Sequence, residues 1–317
     1  PFSGEIQQWT QTGGVLDFAP SADGVHLYFS RQNRQGGSDL LRLSRQALAN
    51  DPEAEPELLV ACPDALCRLP KPSYDETWLA YERAPLESDP PSTQVWLLPL
   101  LGGEPRPAGD VSHATSQPAW ADSGWLAFYD RDQSGYVLME PAGEGQWLLS
   151  NQTGESASWK PDGSAFVTAE ILFESSSLVN VYASSHLMLF ELPASVVGDS
   201  PVSRDLTQDV ALEDTDPVYS PDGSQVAFAR KYLDLTRWTP GRQLWVMAAS
   251  GQQAHPLTDE PLYNHYDFAW SPDGRRIAFV RFHQTALTLP PELWIIQADG
   301  SAPLQLVIGG YAPQWAP

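Results

Sequence analysis

The sequence predicts an all-β fold, a β-propeller of four-stranded antiparallel blades, and three observations carry that prediction. The first is a repeated phrase: an aromatic residue, Ser-Pro-Asp-Gly, a short gap, then an apolar strand. It is nearly intact at Tyr219-Ser220-Pro221-Asp222-Gly223 before Val226-Ala227-Phe228, and at Trp270-Ser271-Pro272-Asp273-Gly274 before Ile277-Ala278-Phe279. The second is spacing. Equivalent turns lie between 39 residues (Gly124 to Gly163) and 60 residues (Gly163 to Gly223) apart, a period that demands a repeat architecture and suits a blade with variable loops. The third is strand content: runs of four to seven Val, Ile, Leu and aromatic residues bounded by Gly, Pro, Asp and Ser, with no convincing helical periodicity.

Taken in order, Glu5 to Thr10 reads as an outermost strand preceding the first unit, and Val15-Leu16-Asp17-Phe18-Ala19 as the first inner strand. The first three turns are fainter copies of the phrase: Pro20 to Gly24, Pro72 to Glu76 and Trp120 to Gly124. The fourth is Trp159-Lys160-Pro161-Asp162-Gly163. Leu40 to Asn50 reads as a strand fraying into a helical turn. Third strands are Val95 to Leu98, Tyr136 to Met139 and His186 to Phe190. The fifth unit runs Val218-Tyr219, Val226 to Arg230, Gln243 to Met247 and His255 to Leu257. The sixth runs Phe268 to Trp270, Arg276 to Arg281, Glu292 to Ile296 and Leu304 to Val307. In each turn Pro presets φ, Asp bonds its own backbone and Gly supplies the positive φ that closes the hairpin. The Asp of the phrase is therefore expected to be structural.

Seven inner-strand signals stand against six second strands, because Ala312 to Pro317 reads as one more inner strand. Six blades with overlapping ends is the favoured count, and seven with an incomplete last blade is the alternative. Residues 1–317 are expected to form a single propeller domain without linkers.

The phrases at Tyr219 to Phe228 and Trp270 to Phe279 resemble the WD-like repeats of the TolB family of β-propellers, over nearly the whole chain. The resemblance implies six blades, a periplasmic interaction platform and a C-terminal segment that returns as an innermost strand. Propellers of related repeat type include polysaccharide lyases with a His-bound metal, and peptidases. A single scaffold thus hosts several functions, and function must be argued from the site.

The formal charge is −22, from 40 acidic and 18 basic residues. That field repels phosphate backbones and disfavours docking on anionic lipid, which excludes nucleic acid as an expected partner. No apolar run approaches a membrane span. Cys62 and Cys67 have no neighbouring His or further Cys, so zinc is not expected. A local disulfide would imply an oxidising compartment, and two unpaired thiols are the other reading. The chain opens on Pro1 without a leader and is expected to be a mature or trimmed product. Periplasmic, cell-surface or secreted placement follows.

Four-stranded topology sends the phrase turns to one face, and the second-to-third-strand loops and inter-blade connections to the other. On the second face Asp17, Asp216 and Asp267 open inner strands, where the aligned residues elsewhere are Leu69, Gln117 and Ser156. Arg31, Arg83, Arg230 and Arg281 end second strands on the same face. An Asp–Arg belt between neighbouring blades is one expectation, and a cation or a basic side chain held by three carboxylates is another. Calcium suits such oxygens, although no dedicated calcium loop is present. Long loops also gather there: Leu172 to Tyr182, Tyr232 to Trp238, and His283 to Pro290. The expected contacts for a protein or peptide are Tyr232, Arg237, Trp238, Tyr263, His265 and Tyr266 around Asp216 and Asp267. Two alternatives are a metal-assisted, polysaccharide lyase-like enzyme using Asp267, His265 and His283, and a structural propeller domain cut from a larger chain. No Gly-x-Ser-x-Gly elbow, phosphate loop or His-Glu-x-x-His helix occurs.

Overall fold

A computed structural model describes residues 8–10, 13–87, 92–143, 145–175, 181–194 and 199–315. The repeated phrase explains the fold from its smallest part. In each intact turn the Ser hydroxyl donates to the Asp carboxylate two residues on, at 2.6 Å in both Ser220–Asp222 and Ser271–Asp273. The same carboxylate oxygen accepts the N–H of Ser224 or Arg275, and the Ser oxygen accepts that of Gln225 or Arg276. Gly223 and Gly274 close the turns at φ +68° and +67°. Glu76 takes this position in the second copy at φ +52°, and its carboxylate receives the Tyr28 hydroxyl at 2.5 Å. The Asp of the phrase is thus occupied entirely in holding its turn.

The chain divides into two compact units, residues 1–120 and 121–315. Unit 1 carries β1 (Val15–Pro20), β2 (His26–Gln32), β3 (Ser38–Ser44), α1 (Arg45–Asn50) and β4 (Glu57–Val60). It continues with β5 (Ala65–Pro72), β6 (Trp78–Pro85), β7 (Gln94–Pro99), β8 (Arg106–Pro107) and β9 (Thr115–Trp120). Strands β1–β4 and β5–β8 form two four-stranded antiparallel sets, with a single parallel bridge between Ser38 and Leu66. Their core is built on Tyr28, Leu40, Leu79, Tyr81 and Leu98, with Cys62 and Cys67 among them. The two cysteines form a disulfide. The strand and helical turn expected over Leu40 to Asn50 are β3 and α1.

Unit 2 carries β10 (Leu126–Asp130), β11 (Gly135–Met139), β12 (Gln146–Ser150), β13 (Ala157–Trp159), β14 (Ala165–Ser175) and β15 (Val181–Glu191). Next come β16 (Val202–Asp205), β17 (Leu212–Tyr219), β18 (Gln225–Tyr232), β19 (Gln243–Ala248) and β20 (His255–Pro256). The unit ends on β21 (Tyr263–Trp270), β22 (Arg276–His283), β23 (Glu292–Gln297) and β24 (Leu304–Ile308). Strands β13–β16, β17–β20 and β21–β24 are again antiparallel sets of four. Second strands such as β18 and β22 are apolar on both faces because each is covered on both: Val226, Phe228 and Met247 join one core cluster, and Ala227, Ala229 and Val246 the next. Each fully buried Phe or Val of these clusters contributes roughly 1.5–3 kcal/mol.

Three expectations change. Residues 172–175 and 181–182 of the expected loop from Leu172 to Tyr182 are strand: β14 and β15 stay in register from Ala165↔Glu191 to Ser175↔Val181, and 176–180 lie outside the described residues. Residues 8–10 are not a strand, and the rest of the segment from Glu5 lies outside the described residues. Residues 312–315 form no regular strand, and 316–317 lie outside the description.

Candidate functional site

Four of the six aligned inner-strand positions, and Ala312 of the C-terminal segment, share a backbone property before they share any chemistry. Leu69, Gln117, Asp216, Asp267 and Ala312 all have positive φ, between +49° and +60°. In β5, β17 and β21 this residue sits in a bulge, where the pairing register shifts between Arg68 and Lys71, Thr215 and Val218, and Tyr266 and Ala269. Asp tolerates the left-handed region better than Leu, Gln or Ala does, so Asp216 and Asp267 have a backbone reason for being Asp. Each of four such residues gives its N–H to a side chain of an earlier strand. Leu69 donates to Asp17 at 3.4 Å, Gln117 to Glu82 at 2.8 Å, Asp216 to Ser156 at 3.0 Å and Ala312 to Asp267 at 3.3 Å. A second series runs alongside: the indoles of Trp120, Trp270 and Trp315 donate to the carbonyls of Lys71, Val218 and Ala269.

Within unit 1, Asp17 also takes the Arg68 guanidinium at 3.0 Å through Nε. Lys71 and Glu82 complete a group of four charges in which each carboxylate lies close enough to act on Lys71. Burial pushes the Glu82 carboxyl up. Within unit 2, Asp216 and Asp267 act on each other, and burial followed by this repulsion raises the Asp267 carboxyl despite the Ala312 N–H. Asp17 belongs to the other unit.

Arg83, Arg230 and Arg281 are satisfied inside their own hairpins or close by. Arg230 makes a bidentate pair with Asp214 at 2.7 and 2.6 Å, buried between the rings of Phe228 and Trp245. Arg281 lies over Tyr263 and Trp294 at 4.2 and 4.0 Å and is bonded by Glu260 and Glu292. Arg83 reaches Asp64 at 3.1 Å. For these three the belt is a set of local pairs.

His265, expected as a contact, is fully buried. Its Nδ1 lies 2.9 Å from the Arg242 carbonyl and its Nε2 3.5 Å from Glu260, whose carboxyl is held at about 2 by His265 and Arg281. His283 turns to Thr285 and stacks edge-on against Tyr263. Asp267, His265 and His283 are not gathered as one ligand set, and among the described residues no group of three His, Cys, Asp or Glu could hold a metal ion.

The remaining selected residues do meet. The loop after β18 bonds to the connection before β21 through Gly241 N–H and the Pro261 carbonyl, and the loop after β22 bonds to it through Gln284 N–H and Leu262. Trp238 is 54% exposed there with Lys231 over its ring, and Arg237 lies over Tyr232 at 4.1 Å while paired to Asp234. Tyr266 is half-buried against Phe282. Sequence reasoning missed the apolar members of these loops: Leu235 is 100% exposed and Leu287 75% exposed, and Leu262 and Leu289 are exposed as well. Their signal was the run of leucines in loops that form no strand. A separate pocket of about 510 Å³ in unit 1 is lined by Phe29, Leu43, Leu48, Arg31, Glu53 and Glu55; none of these was selected as a site residue.

No protein-family model matches the chain. An uncharacterized peptidase, YuxL, of Bacillus subtilis is 27% identical over 116 residues, 36% of this chain and only 17% of that protein's length. Among solved structures, TolB from Acinetobacter baumannii matches 94% of this chain and 68% of its own, at 16% identity and a TM-score of 0.56. Oligogalacturonate lyase from Vibrio parahaemolyticus matches 94% of this chain and 74% of its own, at 13% identity and 0.54. A puromycin-hydrolyzing peptidase from Mycobacterium tuberculosis matches 93% of this chain but only 46% of its own, at 12% identity and 0.63. At these identities the likeness concerns fold alone, and it joins the repeated turns and antiparallel four-stranded sets in one conclusion: the chain has a TolB-like β-propeller fold.

Proposed function

We propose that the chain is a non-enzymatic, extracytoplasmic binding platform for a protein or peptide, working through the loops of unit 2. One observation carries the reading: main-chain hydrogen bonds join the loops after β18 and β22 to the connection before β21, and these three segments carry the exposed Leu235, Trp238, Leu262, Leu287 and Leu289. Exposed apolar groups on these segments, together with Tyr232, Arg237, Tyr263 and Tyr266 on the same stretches of chain, have the composition of a recognition surface rather than of a capped blade end. Asp216 and Asp267 supply acidic character nearby. A ring of six blades, the count the repeat favours, would hold these loops on one rim. The disulfide and the TolB-like fold favour an oxidising, extracytoplasmic setting, and no helix is long and apolar enough to cross a membrane among the described residues.

The test is a peptide selected from a displayed random library on the wild-type protein and titrated calorimetrically against the Leu235→Ser, Trp238→Ala, Leu287→Ser triple variant. Loss of a central anchor of this kind costs about 2 kcal/mol or more, so binding should weaken by at least about thirtyfold while the melting curve is unchanged. Equal affinity, or failure of the library to enrich any peptide, would sink the assignment.

A further inference from the structure

The inner strands repeat closely enough that a departure from the repeat carries information. The residue two after the bulge position is Ala19, Ala119, Ser158, Val218 and Ala269 in five units. In the remaining one it is Lys71, one of only three lysines in the chain. The repeat needs only a small or apolar side chain here, and the backbone of Lys71 does what its counterparts do: it pairs with Ala80 and accepts the Trp120 indole. Nothing in the architecture requires the ammonium.

The ammonium is also not consumed by its surroundings. The two carboxylates that act on it are engaged elsewhere. Asp17 takes Arg68, Leu69 N–H and the Ser30 hydroxyl, and Glu82 takes Gln117 N–H. No hydrogen bond or ion pair closes on Lys71 Nζ among the described residues, although the side chain is half-buried and its surroundings work against the charged form. Lys71 Nζ is not among the buried polar atoms closed off from water, so its three donors are open to an incoming acceptor.

We propose that Lys71 anchors a binding site for a monoanionic carboxylate on the inner strand of unit 1. Asp17 and Glu82 set the charge limit: the Lys71 ammonium attracts one carboxylate locally, and the two acidic neighbours repel any second negative charge on the ligand. Arg68, whose side chain is 47% exposed, stands three residues away on the same strand. A free small acid and the C-terminus of a polypeptide share this chemistry.

Nuclear magnetic resonance of protein carrying ¹³C at lysine Cε tests the proposal on the intact chain. The three resonances are assigned by Lys160→Gln and Lys231→Gln, leaving Lys71 by difference. Titration with N-acetylglycine should move the Lys71 resonance along a saturable curve and leave the other two in place, and N-acetylglycinamide should move none. A short oligo-alanine with a free C-terminus that binds more tightly than N-acetylglycine assigns the site to chain ends, and equal affinity assigns it to small acids. Lys71→Met, which restores the apolar side chain of the other units, should weaken binding by about ten- to a hundredfold, the worth of one charge-assisted bond. An unmoved Lys71 resonance, or an equal response to the amide, overturns the proposal whether or not the variant folds.

Discussion

Removing the Arg230 guanidinium should destabilise the protein far more than removing that of Arg83, although both end second strands and both pair with an Asp. Asp214 is 1% exposed and receives two guanidinium bonds and the Thr207 hydroxyl at 2.7 Å. In Arg230→Met it would keep a single neutral donor in a site closed by Phe228 and Trp245. Breaking one side of a buried pair costs about 3–5 kcal/mol, mostly the desolvation of the charge left behind. The Asp64 partner of Arg83 is 73% exposed, so Arg83→Met should cost no more than about 1 kcal/mol. Urea unfolding followed by both circular dichroism and tryptophan fluorescence measures the difference, provided the two probes coincide. With a slope of about 3 kcal/mol per molar, the Arg230→Met midpoint should fall by about 1 M or more. Asp214→Asn combined with Arg230→Met should recover part of that loss, since no charge is then stranded. A midpoint within about 0.3 M of wild type for Arg230→Met would refute the reasoning and show the pair to be screened as a surface pair is.

Two further outcomes are expected. His186 Nδ1 lies 2.8 Å from Asp205, and this bond raises the imidazole above its ordinary value while the same partnership lowers the carboxyl. The His186 contribution is fully present below the unfolded value near 6.5 and is lost as pH rises through the folded one. The Asp205 contribution is lost as pH falls through its lowered value, so Asp205→Asn should cost most between about pH 4 and 6.5 and least above pH 8. Stability curves for both proteins across that range check the sign, and a difference that grows with pH would contradict it. Secondly, the Cys62–Cys67 bond closes a loop with a separation of five residues. In the chain-entropy account such a loop is worth about 2 kcal/mol, so the double Cys→Ala variant should lose that amount and remain folded.

What the sequence made legible was whatever is local and repeated. Turns at Ser220 to Gly223 and Ser271 to Gly274 could be read because every group that closes them lies within five residues. The strands could be read because apolar runs between such turns have few other uses. The arginine partners could not, and register is the reason. Arg230 stands directly across from Asp214, the residue two before the bulge, and Arg281 stands across from His265. Asp216 and Asp267 occupy the bulge itself, which turns their side chains away from the opposite strand. A one-residue irregularity of this kind leaves no trace in hydrophobic periodicity. The β14–β15 hairpin was missed for the opposite reason. Its polar run at Glu174 to Ser177 reads as loop locally, but pairing begun at Ala165 carries Ser175 into the strand against that preference.

The bulge positions also show how to separate architecture from function inside a repeat. The same backbone N–H is received by Asp17, Ser156 and Asp267, and by Glu82 where the preceding inner strand offers only Leu69. Four acceptors of different length serve one purpose, so the purpose is the bond and not the charge. An acidic residue at such a place is explained before any ligand is invoked. Lys71 and the loop patch around Leu235 and Trp238 stand differently. The repeat supplies no task for an ammonium on an inner strand, and no blade requires a fully exposed leucine beside an exposed indole. The first is an ammonium left without a protein partner among the described residues, and the second exposes apolar surface at a physical cost. Neither is used by the architecture, and these two places are therefore where ligands of this propeller are to be sought.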